Sequence, residues 1–137
     1  MNIHKFIFKD IYPFAGKLRE EEIAKDNFRF ANVRFIASQT DQLLEELKSE
    51  NLLKSLSFEA LVEKVAYYLT ELNVLHPFRE GNGRTQREFI RLLVLESNYY
   101  IDFTLVNPAL MLKAMIESPY NYERLRSILQ AITTKMI

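Results

Sequence analysis

The chain has 137 residues, of which 48% are hydrophobic, and it contains no cysteine. That length suits one domain, with enough apolar sequence for a core without disulfides or a structural metal. Having no cysteine excludes disulfides, thiolate catalysis and Cys-ligated zinc, while 18 basic residues balanced by 18 acidic ones argue against general nucleic-acid or membrane-surface binding. In chain order, residues 2–10 read as a short helix and 12–16 as a turn that packs aromatics. Lys5, Lys9 and Asp10 interrupt the apolar start too early for a signal-peptide core. From Leu18 to Ala31 the pattern predicts a short β-hairpin turning at Asp26-Asn27, a pair that tolerates turn geometry. Glu20-Glu21-Glu22 is a solvated edge or a weak attraction for basic targets.

A helical pattern covers 33–48, with Ile36, Leu43, Leu44 and Leu47 as core candidates. Residues 49–55 have loop length. Ser57 is placed to cap the next helix, with Glu59 in its first turn. From Phe58 onward, Leu61, Val62, Val65, Leu69, Leu72 and Leu75 recur at threes and fours, which is helical spacing. A further helix opens after Gly83 and is apolar nearly all round beyond Arg91, as expected of a central buried helix. Residues 98–104 read as extended or irregular. Asn107-Pro108 and Ser118-Pro119 each pair a good N-cap with Pro at the first helical position, predicting helices over 108–117 and 119–134. Tyr67-Tyr68 reads as packing rather than a cofactor box. The longest strongly apolar run near the middle, 92–95, is far too short to span a bilayer. A soluble, cytoplasmic, all-α domain with one small hairpin is the expectation.

The chemistry concentrates between His76 and Arg87. That stretch holds one of two histidines, two of three glycines and one of four prolines. It reads as a helix end, a tight loop and a new helix start. Gly81 and Gly83 let the backbone approach a ligand without a Cβ between them. The amides that open a helix have no intrahelical acceptors and favour an anion. Arg84, Arg87 and Arg91 recur at three and four, so they share one side of that helix. Positions 79–91 hold four Arg and two Glu, a local surplus of positive charge in a neutral chain. Glu80 is a carboxylate beside a phosphate site, an arrangement that suits Mg²⁺. His76 stands at the loop entrance, where a neutral imidazole takes a proton. Taken singly these features are bland: His before Pro ends helices, Gly-Asn-Gly is an ordinary turn, and arginines line solvated faces. Their combination within twelve residues points to phosphate chemistry.

His76-Pro77-Phe78-Arg79-Glu80-Gly81-Asn82-Gly83-Arg84-Thr85-Gln86-Arg87 resembles the signature of the Fic domain family, H-P-F-x-[D/E]-G-N-G-R-x-x-R, at every defined position. The resemblance extends upstream through residues 3–8, 11–16 and 27–31, and it implies a single Fic domain over 1–137 with the Fic fold, a helical bundle carrying a β-hairpin flap. It also implies a protein adenylyltransferase that moves AMP from ATP to a target hydroxyl. His76 would be the general base and Glu80 the Mg²⁺ ligand. Gly81, Asn82 and Gly83 would cradle the phosphates with their backbone and the Asn side chain. Arg84 and Arg87 would bind the departing pyrophosphate, and Phe78 would seat the loop. The flap residues Ile23, Lys25, Phe28 and Phe30 would hold the target segment by strand addition. The motif leaves open a Fic-fold enzyme that transfers another phosphate-containing group or removes AMP. A non-catalytic nucleotide-binding helical module is also left open. The adenine pocket is expected in the region after Asn98.

Many Fic proteins resemble one another in an inhibitory helix of pattern [S/T]-x-x-x-E-[G/N], whose Glu pairs with the second motif arginine, here Arg87. The nearest pattern in this chain, from Ser55 to Glu59, is followed by Ala60 where Gly or Asn belongs. The expectation is a domain without its own brake, restrained if at all by a small antitoxin-like partner.

Overall fold

Hydrophobic spacing, helix caps and a packed aromatic pair account for most of the architecture. A computed structural model describes residues 17–20, 24–25, 28–29, 32–78 and 81–136, with the side chains of the two short strand pairs at 24–25 and 28–29 excepted. The expected helix over 2–10 and turn over 12–16 lie outside the described residues.

The hairpin is present in its backbone. Strand β1 (Ala24–Lys25) pairs antiparallel with β2 (Phe28–Arg29), Ala24 opposite Arg29 and Lys25 opposite Phe28. The expected turn residues, Asp26 and Asn27, lie outside the described residues. A 3₁₀ turn at Val33–Phe35 leads into α1 (Ile36–Ser49). Ile36, Leu43 and Leu47 are buried and Leu44 is half-buried.

Between α1 and α2 (Phe58–Leu75) the chain makes an unusual turn: Asn51, Leu52, Leu53 and Ser55 all have positive φ. Leu53 is fully buried there, and its carbonyl accepts a hydrogen bond from Ser97 Oγ. Ser57 caps α2 as expected, its hydroxyl accepting from the Ala60 amide at 3.2 Å, a contact worth about 1 kcal/mol. All six periodic residues of α2, from Leu61 to Leu75, are buried. Tyr67 and Tyr68 pack edge to face, and each hydroxyl donates to a carboxylate of the α1 end, Tyr67 to Glu46 and Tyr68 to Glu50. Burial, with the Glu46 hydrogen bond second, pushes the Tyr67 phenol up to about 12. The pair is packing, as its sequence suggested.

Helix α2 is the centre of the bundle. It packs on α3 (Asn82–Leu95) and on α5 (Glu123–Ile132), while α4 (Pro108–Glu117) packs on α5. Asn107 caps α4 through its side chain, with Pro108 at the first position. Three expectations need correction. Helix α3 is not buried all round, since Leu92 and Leu95 lie on an exposed face. The last helix begins at Glu123, not Pro119. Ser118 ends α4 instead of starting α5: its hydroxyl turns back to the Met115 carbonyl, and Asn121 supplies the cap to the Glu123 amide. That helix also ends early, because Thr133–Lys135 forms β4, antiparallel to β3 (Tyr99–Ile101). Among the described residues no helix is long and apolar enough to cross a membrane.

Asn98 links α3 to β3 in the left-handed region, φ 66, and its carbonyl accepts from the Met136 amide. A residue with a plain Cβ is disfavoured there by about 1 kcal/mol. Asn98→Ala should therefore lower unfolding stability by about that amount in denaturant titration, with Asn98→Gly near wild type. Equal losses in both variants would assign the effect to the Asn side chain instead.

Candidate active site

Three elements build the site: the end of α2, the loop after it and the start of α3. Pro77 disfavours the right-handed conformation at the residue before it. His76 accordingly caps α2 in the left-handed region, φ 45 and ψ 60, with its amide donating to the Leu72 carbonyl at 2.9 Å. Holding a non-glycine residue there costs about 1 kcal/mol, although His tolerates it better than most. Gln86, buried on α3, donates its side-chain amide to that same Leu72 carbonyl at 3.3 Å.

The loop is closed by two side chains. Phe78 is 1% exposed, in line with the loop anchor that the resemblance implies. The Asn82 side chain takes both ends of one bonding pair: it donates to the Phe78 carbonyl at 2.6 Å and accepts from the Phe78 amide at 2.9 Å. Asn82 is buried, and its side chain ties the loop to the start of α3. Arg79 and Glu80 lie outside the described residues, and so do the flap residues Ile23 and Phe30. Lys25 and Phe28 are described only as strand backbone.

Gly81 precedes α3 with φ 79, which a glycine adopts without strain. The helix starts at Asn82, two residues earlier than its apolar pattern suggests. Its first intrahelical bond runs from the Thr85 amide to the Gly81 carbonyl. The amides of Asn82, Gly83 and Arg84 therefore open the helix ahead of that bond, the arrangement that receives anions.

The Arg87 guanidinium lies directly against Gly83: a Cβ built on Gly83 would meet Nη1 at 3.1 Å. Burial, and after it the like charge of Arg84, lowers the Arg87 pKa. Among the described residues no carboxylate pairs with Arg87. Arg91 is different. It makes a two-pronged bond to Glu88 on its own helix, at 2.9 and 2.6 Å, so the three arginines do not act as one face.

His76, Gly83, Gln86 and Arg87 line one side of a cavity of about 460 Å³. Phe103, Val106, Met111, Leu112 and Met115 form its apolar side, the region where an adenine pocket was expected. That volume falls in the usual range for small-molecule sites, which are apolar with a few convergent polar groups. Among the described residues no group of three His, Cys, Asp or Glu stands ready to hold a metal.

Sequence reasoning missed Arg19. This residue is only 4% exposed. Its Nε donates to the His76 carbonyl at 2.7 Å, one terminal nitrogen donates to the Leu75 carbonyl at 3.1 Å, and its backbone amide donates to the Pro77 carbonyl at 2.8 Å. Nothing local signals this, because the partners lie more than fifty residues downstream.

A histidine at a capped helix end and an anion-receptive helix start thus share the lining of one cavity in a helical domain. The chain belongs to the Fic/DOC family, whose model matches residues 1–94. It is 46% identical over 127 residues to the protein adenylyltransferase VbhT of Bartonella schoenbuchensis, covering 93% of this chain and 27% of that one. It is 39% identical over 101 residues to the probable protein adenylyltransferase Fic of Salmonella typhimurium, covering 74% of this chain and 50% of the relative. The chain thus spans half or less of the length of these two relatives. Among solved structures, the BepC protein of Bartonella tribocorum with bound AMPPNP superposes with a TM-score of 0.89 at 27% identity, over 99% of this chain and 73% of that one. The N-terminal Fic domain of a Bep effector protein from Bartonella quintana with bound ADP gives 0.89 at 29% identity, over 98% and 71%.

Proposed function

We propose that this domain transfers AMP from ATP to a Ser, Thr or Tyr hydroxyl of a protein target. The observation that carries the reading is the shared cavity, with His76 and Arg87 on its polar side and an apolar wall beside them. Relatives named as protein adenylyltransferases support it. His76 takes the proton from the target hydroxyl as its oxygen bonds to the α-phosphorus. The bond to the bridging oxygen breaks, and pyrophosphate leaves. Arg84, Arg87 and the amides of Gly81, Asn82 and Gly83 hold the phosphates. Such transfer is mostly positioning and charge stabilisation. Glu80 would hold Mg²⁺, which neutralises phosphate charge when bound. The hairpin carrying Ile23, Lys25, Phe28 and Phe30 would receive the target segment by strand addition.

The half-buried Arg87 cation also suits a carboxylate from a small antitoxin-like partner, since an Arg–carboxylate pair is bidentate and charge-assisted. ATP and Mg²⁺ use fit the cytoplasm. The test is purified protein incubated with ATP labelled at either the α- or the γ-phosphate, with and without a cell lysate. Label from the α-phosphate alone should appear on protein, the domain itself included. Transfer of γ-label would reassign the reaction, and nucleotide binding without transfer by either label would make this a binding module.

A further inference from the structure

We propose that Arg19 is a positioning residue for His76, setting the imidazole direction by locking the backbone of the loop entrance. This rests on His76 being the base in the reaction proposed above. One residue donates to three successive carbonyls, those of Leu75, His76 and Pro77. These are the last carbonyls of α2 and the first of the loop, the groups left without intrahelical donors at a helix end. Their partial negative charge favours a cation there. The guanidinium reaches two adjacent carbonyls at once because its donors form a rigid planar fork, which an ammonium does not offer.

The clamp acts where the backbone is least comfortable. His76 is the one described residue of the loop entrance with positive φ, and its ψ of 60 turns the chain away from the α2 axis. The direction of Cβ at 76 follows from that pair of angles, and with it the side on which the imidazole meets the cavity. The amide of His76 is fixed from the other side through the Leu72 carbonyl, which Gln86 also engages. Arg19 thus closes from the hairpin segment a frame that α2 and α3 build from the opposite side. Misplacement of a catalytic group by about 1 Å costs on the order of 10²-fold in rate.

The chain has two histidines, His4 and His76, so its imidazole signals are assignable with a single His76→Ala control. Arg19→Met removes the side-chain bonds to the Leu75 and His76 carbonyls, and Arg19→Lys keeps the charge without the fork. In both variants the His76 imidazole resonances should move away from their wild-type positions, more in Met than in Lys. Turnover (kcat) of AMP transfer should fall about 10²-fold in Arg19→Met, with ATP affinity by calorimetry within about threefold of wild type. Unmoved His76 resonances in both variants would overturn the proposal. So would kcat and ATP affinity falling in proportion, or loss of the helical circular dichroism signal in both variants, which would make Arg19 a residue of global stability. If the wild type transfers no AMP at all, the proposed function fails, and the imidazole resonances still decide the role of Arg19.

Discussion

Replacing His76 by alanine should lower AMP transfer by about 10²–10⁴-fold and leave ATP binding and helical content nearly unchanged. The expectation separates the imidazole from the backbone that carries it. The loop is held through the His76 amide on Leu72, the His76 carbonyl on Arg19, and the buried Phe78–Asn82 pair. None of these contacts uses the imidazole. Alanine tolerates the left-handed conformation slightly less well than histidine, so His76→Asn is the better-matched control, since Asn accepts that backbone and lacks the base. Both variants should be inactive and folded. Turnover near wild type in either one would remove His76 from the reaction.

How much of this was legible in the sequence depends on the distance over which each feature is decided. The site was legible because its parts are local. His76, the glycines and Arg87 fall within twelve residues, and the fold brings His76, Gly83 and Arg87 to one cavity. Helix α2 was legible because six apolar residues keep one period and Ser57 caps it. The errors arise where two local signals compete or where the partner is remote. Ser118-Pro119 has the sequence of a helix start, but the Ser118 hydroxyl bonds back to Met115 and the start passes to Asn121. The expected helix ran to Thr134, yet pairing with β3 draws Thr133–Lys135 into a strand. The bonds of the Asn82 side chain to Phe78 are visible only in the fold. Arg19 was beyond reach altogether, its carbonyl partners being 56 and 57 positions away.

Arg87→Ala should weaken ATP binding by about 10–100-fold, the loss expected for hydrogen bonds to a charged group, and should weaken AMP binding much less. The guanidinium lies against Gly83 at the helix start, where the phosphates distal to the reacting one are held in the proposed reaction. Arg87→Lys keeps the charge but loses the fork and should fall between. A second, opposite effect sharpens the test. Burial lowers the Arg87 pKa, and among the described residues no carboxylate compensates the charge. An unpaired, partly buried cation stabilises nothing until an anion arrives. Without nucleotide, Arg87→Ala should therefore keep or raise the thermal midpoint, while the rise that ATP gives the wild type should largely vanish. Gly83→Val probes the same contact from the other side: its Cβ would lie 3.1 Å from Nη1, and the added methyls force the guanidinium out of place. That variant should lose ATP affinity with Arg87 still present. A lower midpoint without nucleotide in Arg87→Ala, together with unchanged ATP affinity, would show that the guanidinium supports the fold and not the phosphates.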